Sequence, residues 1–121
     1  MDHDLAALTA RLAAFADERD WDQFHTPKNL VMALAGEVGE LTAEFQWLTA
    51  AESETVLSDE QRAERVRAEI GDVMIYLTRL AGVLDIDLVA AANAKLDDAA
   101  RRYPAERVRG SADKARSRPV E

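Results

Sequence analysis

Two short acidic patterns stand 32 residues apart in this sequence, Glu37-Val38-Gly39-Glu40-Leu41 and Glu69-Ile70-Gly71-Asp72-Val73. Each reads acid, β-branched, glycine, acid, apolar. On a helix, carboxylates three residues apart lie about 60° from one another on one face. Glu44 falls on the stripe of the first pair and Tyr76 on that of the second. A solvated face is the ordinary meaning of one such pair. Here neither pair has a basic residue within its own stripe, so Glu37, Glu40 and Glu44 repel one another at these spacings. Converging carboxylates raise each other's pKa values unless a cation lies between them. Oxygen-only ligands point to a hard ion, Mg²⁺ or Mn²⁺. Five carboxylates exceed what one Mg²⁺ usually takes from protein, which suggests more than one ion on a polyphosphate. A di-iron bundle would need Glu-x-x-His, and neither His3 nor His25 stands three residues after a Glu.

Aromatic and basic residues supply the rest of a candidate site. Trp21, Phe24 and His25 precede the helical stretch that bears the first acidic pattern, Trp47 ends it, and Tyr76 shares the stripe of Glu69 and Asp72. Taken singly, either Trp reads equally well as packing, in the core or at a helix end, and as part of a site. Together beside an acidic metal site they suggest a slot where a base stacks. Lys95, Arg101, Arg102, Arg107 and Arg109 are dipole partners at a helix C-terminus, or else neutralise a polyphosphate.

Four helices position these groups. The first is expected over about Asp4 to Arg19, with Leu5, Leu8, Leu12 and Phe15 at helical spacing. Residues 20–25 form an aromatic loop, and Thr26-Pro27 opens the second helix with a cap and a first-turn proline. Its core stripe is Leu30, Leu34, Val38, Leu41, Phe45 and Leu48. Residues 49–57 read as a loop, and Ser58-Asp59-Glu60-Gln61 as a capping box for the third helix. That helix, reaching Leu84, carries the stripe Val66, Ile70, Val73, Leu77, Leu80 and Leu84, with Met74 and Ile75 well off it. Apolar residues around most of its girth predict a homo-oligomer, dimer or tetramer, with this helix at the interface. Gly39 and Gly71 are expected to permit close helix approach. Asp87 caps a fourth helix ending before Pro104. The acidic stripes sit about 80–90° from the core stripes and so border the core.

The chain of 121 residues fits one domain, residues 1–108, followed by a basic tail, 109–121, expected to be mobile. With 48% hydrophobic and 31% charged residues it is globular, and five Gly and three Pro favour long helices. No cysteine excludes disulfides and thiol chemistry. The start Met1-Asp2-His3-Asp4 and the lack of a long apolar run predict no signal peptide, no membrane span and a cytoplasmic protein. A net charge of −8 makes nucleic acid an unlikely partner.

The sequence resembles the MazG-like, all-α nucleoside triphosphate pyrophosphohydrolases, in particular their dCTP pyrophosphatase branch. The resemblance rests on Glu18 through His25, on Asn29 through Leu41, on Phe45-Gln46-Trp47, and on Glu69 through Val73 with Ile75-Tyr76-Leu77. Lys95, Arg101-Arg102-Tyr103-Pro104 and Arg109-Gly110-Ser111 extend it. It implies an oligomeric four-helix bundle and Mg²⁺-dependent cleavage between the α and β phosphates, most readily of dCTP or 5-substituted dCTP. The products are a nucleoside monophosphate and pyrophosphate. The implied ligands are Glu37, Glu40, Glu69 and Asp72, with Glu40 and Glu37 as catalytic carboxylates. Trp21, His25 and Trp47 match base-pocket positions, Tyr76 one beside the sugar, and Lys95 and Arg109 positions that reach phosphates. Ala99 and Ala100 depart from the Asn and Arg common in relatives, and Lys28 stands where close relatives have Arg. The same chemistry on dUTP or a broad set of noncanonical triphosphates is the alternative substrate reading. A catalytically silent nucleotide-binding module is the alternative class.

Overall fold

In the computed structural model, which describes residues 3–112, every long element is a helix and no strand occurs among the described residues. The chain divides into two compact units, residues 1–86 and residues 87–121.

The first unit contains α1 (Leu5–Glu18), α2 (Pro27–Phe45), the one-turn α3 (Ala50–Ser53) and α4 (Glu60–Val83). Local chemistry sets their starts. Asp4 accepts from the Ala7 N–H at 2.7 Å, and Thr26 accepts from Asn29 N–H at 3.2 Å with Pro27 just inside the helix. The cap of α4 is Asp59, one residue beyond the expected Ser58, and it accepts from the N–H groups of Gln61 and Arg62. The stretch expected as a loop contains α3, closed by a capping box in which Thr49 and Glu52 satisfy each other's backbone N–H. α2 ends at Phe45, earlier than its apolar stripe suggested, and Leu48 lies in the turn that follows.

Helix ends carry the topology. α1 stops at Asp20, in left-handed backbone at φ +54°, with the Trp21 N–H bonded back to the Ala16 carbonyl at 2.9 Å. Asp85, at φ +56°, ends α4 the same way, with Ile86 N–H on the Ala81 carbonyl at 2.8 Å. This is the Schellman closure, here built on Asp rather than on Gly.

α4 packs along α2 and against α1. Among the described residues the buried side chains are few and mostly small: Ala16, Leu30, Ala63, Val66, Thr78 and Ala81. Most of the expected α4 stripe is not buried, since Ile70 is 53% exposed, and Leu77, Leu84 and neighbouring Met74 are exposed too. An apolar girth this wide exceeds what its neighbours in one chain cover. Nor do Gly39 and Gly71 mark a close approach within the chain. A Cβ at either would meet nothing within 4 Å.

The second unit holds α5 (Leu88–Arg102), capped by Asp87, and the short α6 (Ala105–Val108) beyond the Tyr103-Pro104 break. Asp98 draws together Lys95, Arg101 and Arg102, all within 3.8 Å. Of the basic tail from Arg109, residues 113–121 lie outside the described residues. No helix among the described residues is long and apolar enough to cross a membrane.

Candidate metal centre and aromatic cavity

The α2–α4 pairing brings Glu37 and Glu40 opposite Glu69. One carboxylate oxygen from each lies within 4.8 Å of the other two. One oxygen of Glu37 and one of Glu69 are buried with no hydrogen-bond partner. Leaving a carboxylate oxygen buried and unsatisfied is costly, and a cation removes that cost for both at once. The Glu69 carboxyl is accordingly pushed up to about 7, chiefly by desolvation and then by the charge of Glu40 and the proximity of Glu37. All the donors are hard oxygens on rigid helices, which suits Mg²⁺ or Mn²⁺.

Glu44, the third acid of the α2 stripe, does not join them. It is held by Arg65 of α4, whose Nε donates to both carboxylate oxygens at 3.1 and 3.2 Å. The countercharge missing from its own helix is supplied by α4.

Asp72 stands one turn after Glu69 and lines a neighbouring cavity of about 360 Å³. Tyr76, Ile75 and Arg79 extend this wall on α4, Leu8, Arg11, Leu12 and Phe15 form the α1 wall, and Trp21 and His25 close one side. The rings of Phe15 and Trp21 meet edge to face at 5.7 Å, and Trp21 and His25 at 6.3 Å. The loop carrying Trp21 and His25 is shaped by the Asp20 closure, the single 3₁₀ turn Asp22–Phe24, and Asn29, whose side-chain amide donates to the Phe24 carbonyl at 3.0 Å. An aromatic slot thus adjoins a group of carboxylates, with Asp72 and Glu69 on successive turns of α4 linking the two.

The structure therefore brings together Trp21, His25, Asp72 and Tyr76 around the cavity, and Glu37, Glu40 and Glu69 in the acidic cluster. Trp47 is 87% exposed in the turn after α2 and is not part of the cavity lining. Lys95 and Arg109 belong to the second unit, Lys95 lying 3.8 Å from Asp98, and Arg109 lining a shallow hollow with Tyr103 and Glu106. Arg11 and Arg79 escaped sequence reasoning. For Arg79 a signal existed: it continues the Asp72–Tyr76 face of α4 by one further turn. Leu8, Leu12 and Phe15, noted in the sequence for their helical spacing, are cavity wall.

No protein-family model matches the chain. It is 46% identical over 102 residues to dCTP pyrophosphatase 1 of Rattus norvegicus and to that of Homo sapiens, over 84% of its length. It spans 60% of the length of those relatives. Among solved structures, a pyrophosphatase from Archaeoglobus fulgidus DSM 4304 superposes with a TM-score of 0.77 at 39% identity, covering 86% of this chain and 95% of that one. The chain belongs to the MazG-like, all-α pyrophosphohydrolase family. The carboxylates that converge across α2 and α4 come from the two acidic patterns on which the resemblance partly rests.

Proposed function

We propose that this protein is a divalent-metal-dependent nucleoside triphosphate pyrophosphohydrolase acting on dCTP or 5-substituted dCTP. It cleaves the α–β phosphate bond to give the monophosphate and pyrophosphate. The observation that carries this reading is the convergence of Glu37, Glu40 and Glu69, two of them with an orphaned buried oxygen, beside an aromatic cavity. The names and identities of the relatives favour dCTP.

Glu37, Glu40 and Glu69 would hold the ion, Mg²⁺ with Mn²⁺ as a substitute, and Asp72 would be the fourth carboxylate of the set. A divalent ion bound there would supply charge neutralisation for the triphosphate and would make the attacking water more acidic. Glu40, the most exposed of the three, orients that water or takes its proton, with Glu37 beside it. Trp21 and Phe15 wall the base slot, His25 gives it a polar edge, and Tyr76 lies on the route from the slot to the carboxylates. Substrate-binding roles for Trp47, Lys95 and Arg109, none of which lines the cavity, rest on the resemblance alone, which points the two cations toward phosphates.

The protein works as a homodimer or homotetramer in the cytoplasm. The uncovered apolar surface of Ile70, Met74 and Leu77, with open space over Gly39 and Gly71, supports assembly with a second copy. Sedimentation at micromolar concentration would read a multiple of the chain mass, and a monomer would refute it.

Function is tested by incubating the protein with each nucleoside triphosphate and Mg²⁺ and resolving the products by anion exchange. Monophosphate and pyrophosphate are expected, fastest from dCTP. Binding of dCTP without turnover of any triphosphate would make the protein a silent nucleotide-binding module instead.

A further inference from the structure

Arg79 lies on α4 one turn beyond Tyr76, and its side chain is only 13% exposed. Its Nε donates to Nδ1 of His25 at 3.0 Å, and its Nη2 donates to Oδ1 of Asp22 at 2.7 Å. Asp22 thereby fixes the guanidinium plane from the 3₁₀ turn while the same plane addresses the imidazole. A guanidinium keeps its proton at any accessible pH and offers donors alone. The His25 nitrogen that faces it must therefore present a lone pair. A neutral imidazole carries one proton, which then resides on Nε2. An imidazolium would set N–H against N–H and charge against charge. Desolvation and the charge of Arg79 lower the His25 pKa, against the opposing pull of Asp22. The other charged groups of the cavity wall are Arg11 on α1 and Asp72 on α4.

With Nδ1 taken by Arg79, the ring nitrogen left for a ligand in the cavity is Nε2. We infer that Arg79 is a positioning residue that locks His25 as the Nε2–H tautomer, so that this edge donates a hydrogen bond to an acceptor on the base. The inference rests on the reading of the cavity as the base site. The acceptor is a carbonyl oxygen or an unprotonated ring nitrogen, and cytosine offers the two side by side. A base presenting an N–H at that point meets donor against donor, and such a mismatch discriminates more strongly than loss of apolar contact.

The test begins with ¹⁵N NMR of the imidazole of His25 in the free protein at neutral pH. An Nε2 signal in the protonated range and an Nδ1 signal in the unprotonated range are expected. An imidazolium or the Nδ1–H tautomer would overturn the inference. These signals are read without nucleotide, so they decide the tautomer even in a chain that turns over no triphosphate. The second arm compares Arg79→Met, His25→Ala and the double variant on dCTP. Each single change is expected to raise KM on the order of tenfold with kcat little altered. Because Arg79 acts through His25, the double variant should be no worse than His25→Ala alone. Effects that multiply in full in the double variant would assign Arg79 a separate role and defeat the proposal.

Discussion

Two carboxylate sites share the α2–α4 helix pair and meet opposite fates. At Glu44, Arg65 crosses from α4 and binds both carboxylate oxygens, while Arg62 donates to the Glu44 backbone carbonyl at 3.3 Å. One and two turns earlier on α2, Glu40 and Glu37 meet not an arginine but a third carboxylate, Glu69. The first site is a closed ion pair and ties the end of α2 to the start of α4. The second is an electrostatic conflict, with two buried oxygens unsatisfied and one acid pushed up to about 7. Identical residue types on one stripe thus divide into a paired and an unpaired set according to what the facing helix supplies, and the unpaired set is the one proposed to act. An uncompensated cluster is maintained against its cost when an ion from outside completes it.

The largest expected difference between the two sites is in turnover. Glu40→Gln should lower kcat for triphosphate hydrolysis by about 10²–10⁴, the range attributed to a positioned acid or base. Circular dichroism should show unchanged helicity. Glu44→Gln should leave kcat within about twofold, since its carboxylate is already closed by the half-exposed Arg65 and contributes only to stability. Next comes metal-linked stability. Mg²⁺ or Mn²⁺ at 100 times its Kd should stabilise the wild-type and Glu44→Gln proteins by about 2.7 kcal/mol in thermal or chemical unfolding, reversed by a chelator. Glu69→Gln should lose most of that gain.

The pH response separates the sites further. The folded-state pKa of Glu69, about 7, lies above its ordinary value of 4.5, so the folded protein binds the extra proton more tightly than the unfolded chain does. Its contribution to the metal-free protein is fully present below pH 4.5 and is lost as pH rises through 7. Metal binding needs the proton removed, so affinity should climb over the same interval. Urea unfolding without metal and metal titration should show these opposite slopes between pH 5 and 8, and Glu69→Gln should flatten the first. The smallest effect is structural. In the metal-free protein at pH 8, Glu44→Gln should cost less than about 1 kcal/mol, while Glu69→Gln should increase stability by relieving repulsion.

Much of this was legible in sequence because it is local. Asp4, Thr26 and Asp87 cap helices through neighbours three residues away, and the acidic stripes follow from helical period alone. The short α3 was missed and read as loop: Thr49 and Glu52 form a capping box, but its four residues carry no periodicity to draw notice. The helix ends at Asp20 and Asp85 were not, because left-handed closure is signalled by glycine and here uses aspartate. The partners of Glu44 and His25, Arg65 and Arg79, come from another element 21 and 54 residues away, and no spacing rule reaches that far. Apolar period likewise marks Ile70 and Leu77 as residues to be covered, without saying whether the same chain covers them.

Direct measurement of Mn²⁺ binding by electron paramagnetic resonance, on the wild-type, Glu40→Gln and Glu44→Gln proteins at pH 8, tests the division between the two sites most directly. Binding by the wild-type and Glu44→Gln proteins with equal affinity, and its loss in Glu40→Gln, is the predicted result. Absence of Mn²⁺ binding to the wild-type protein, or equal loss in the two variants, would contradict the assignment of the metal centre to Glu37, Glu40 and Glu69.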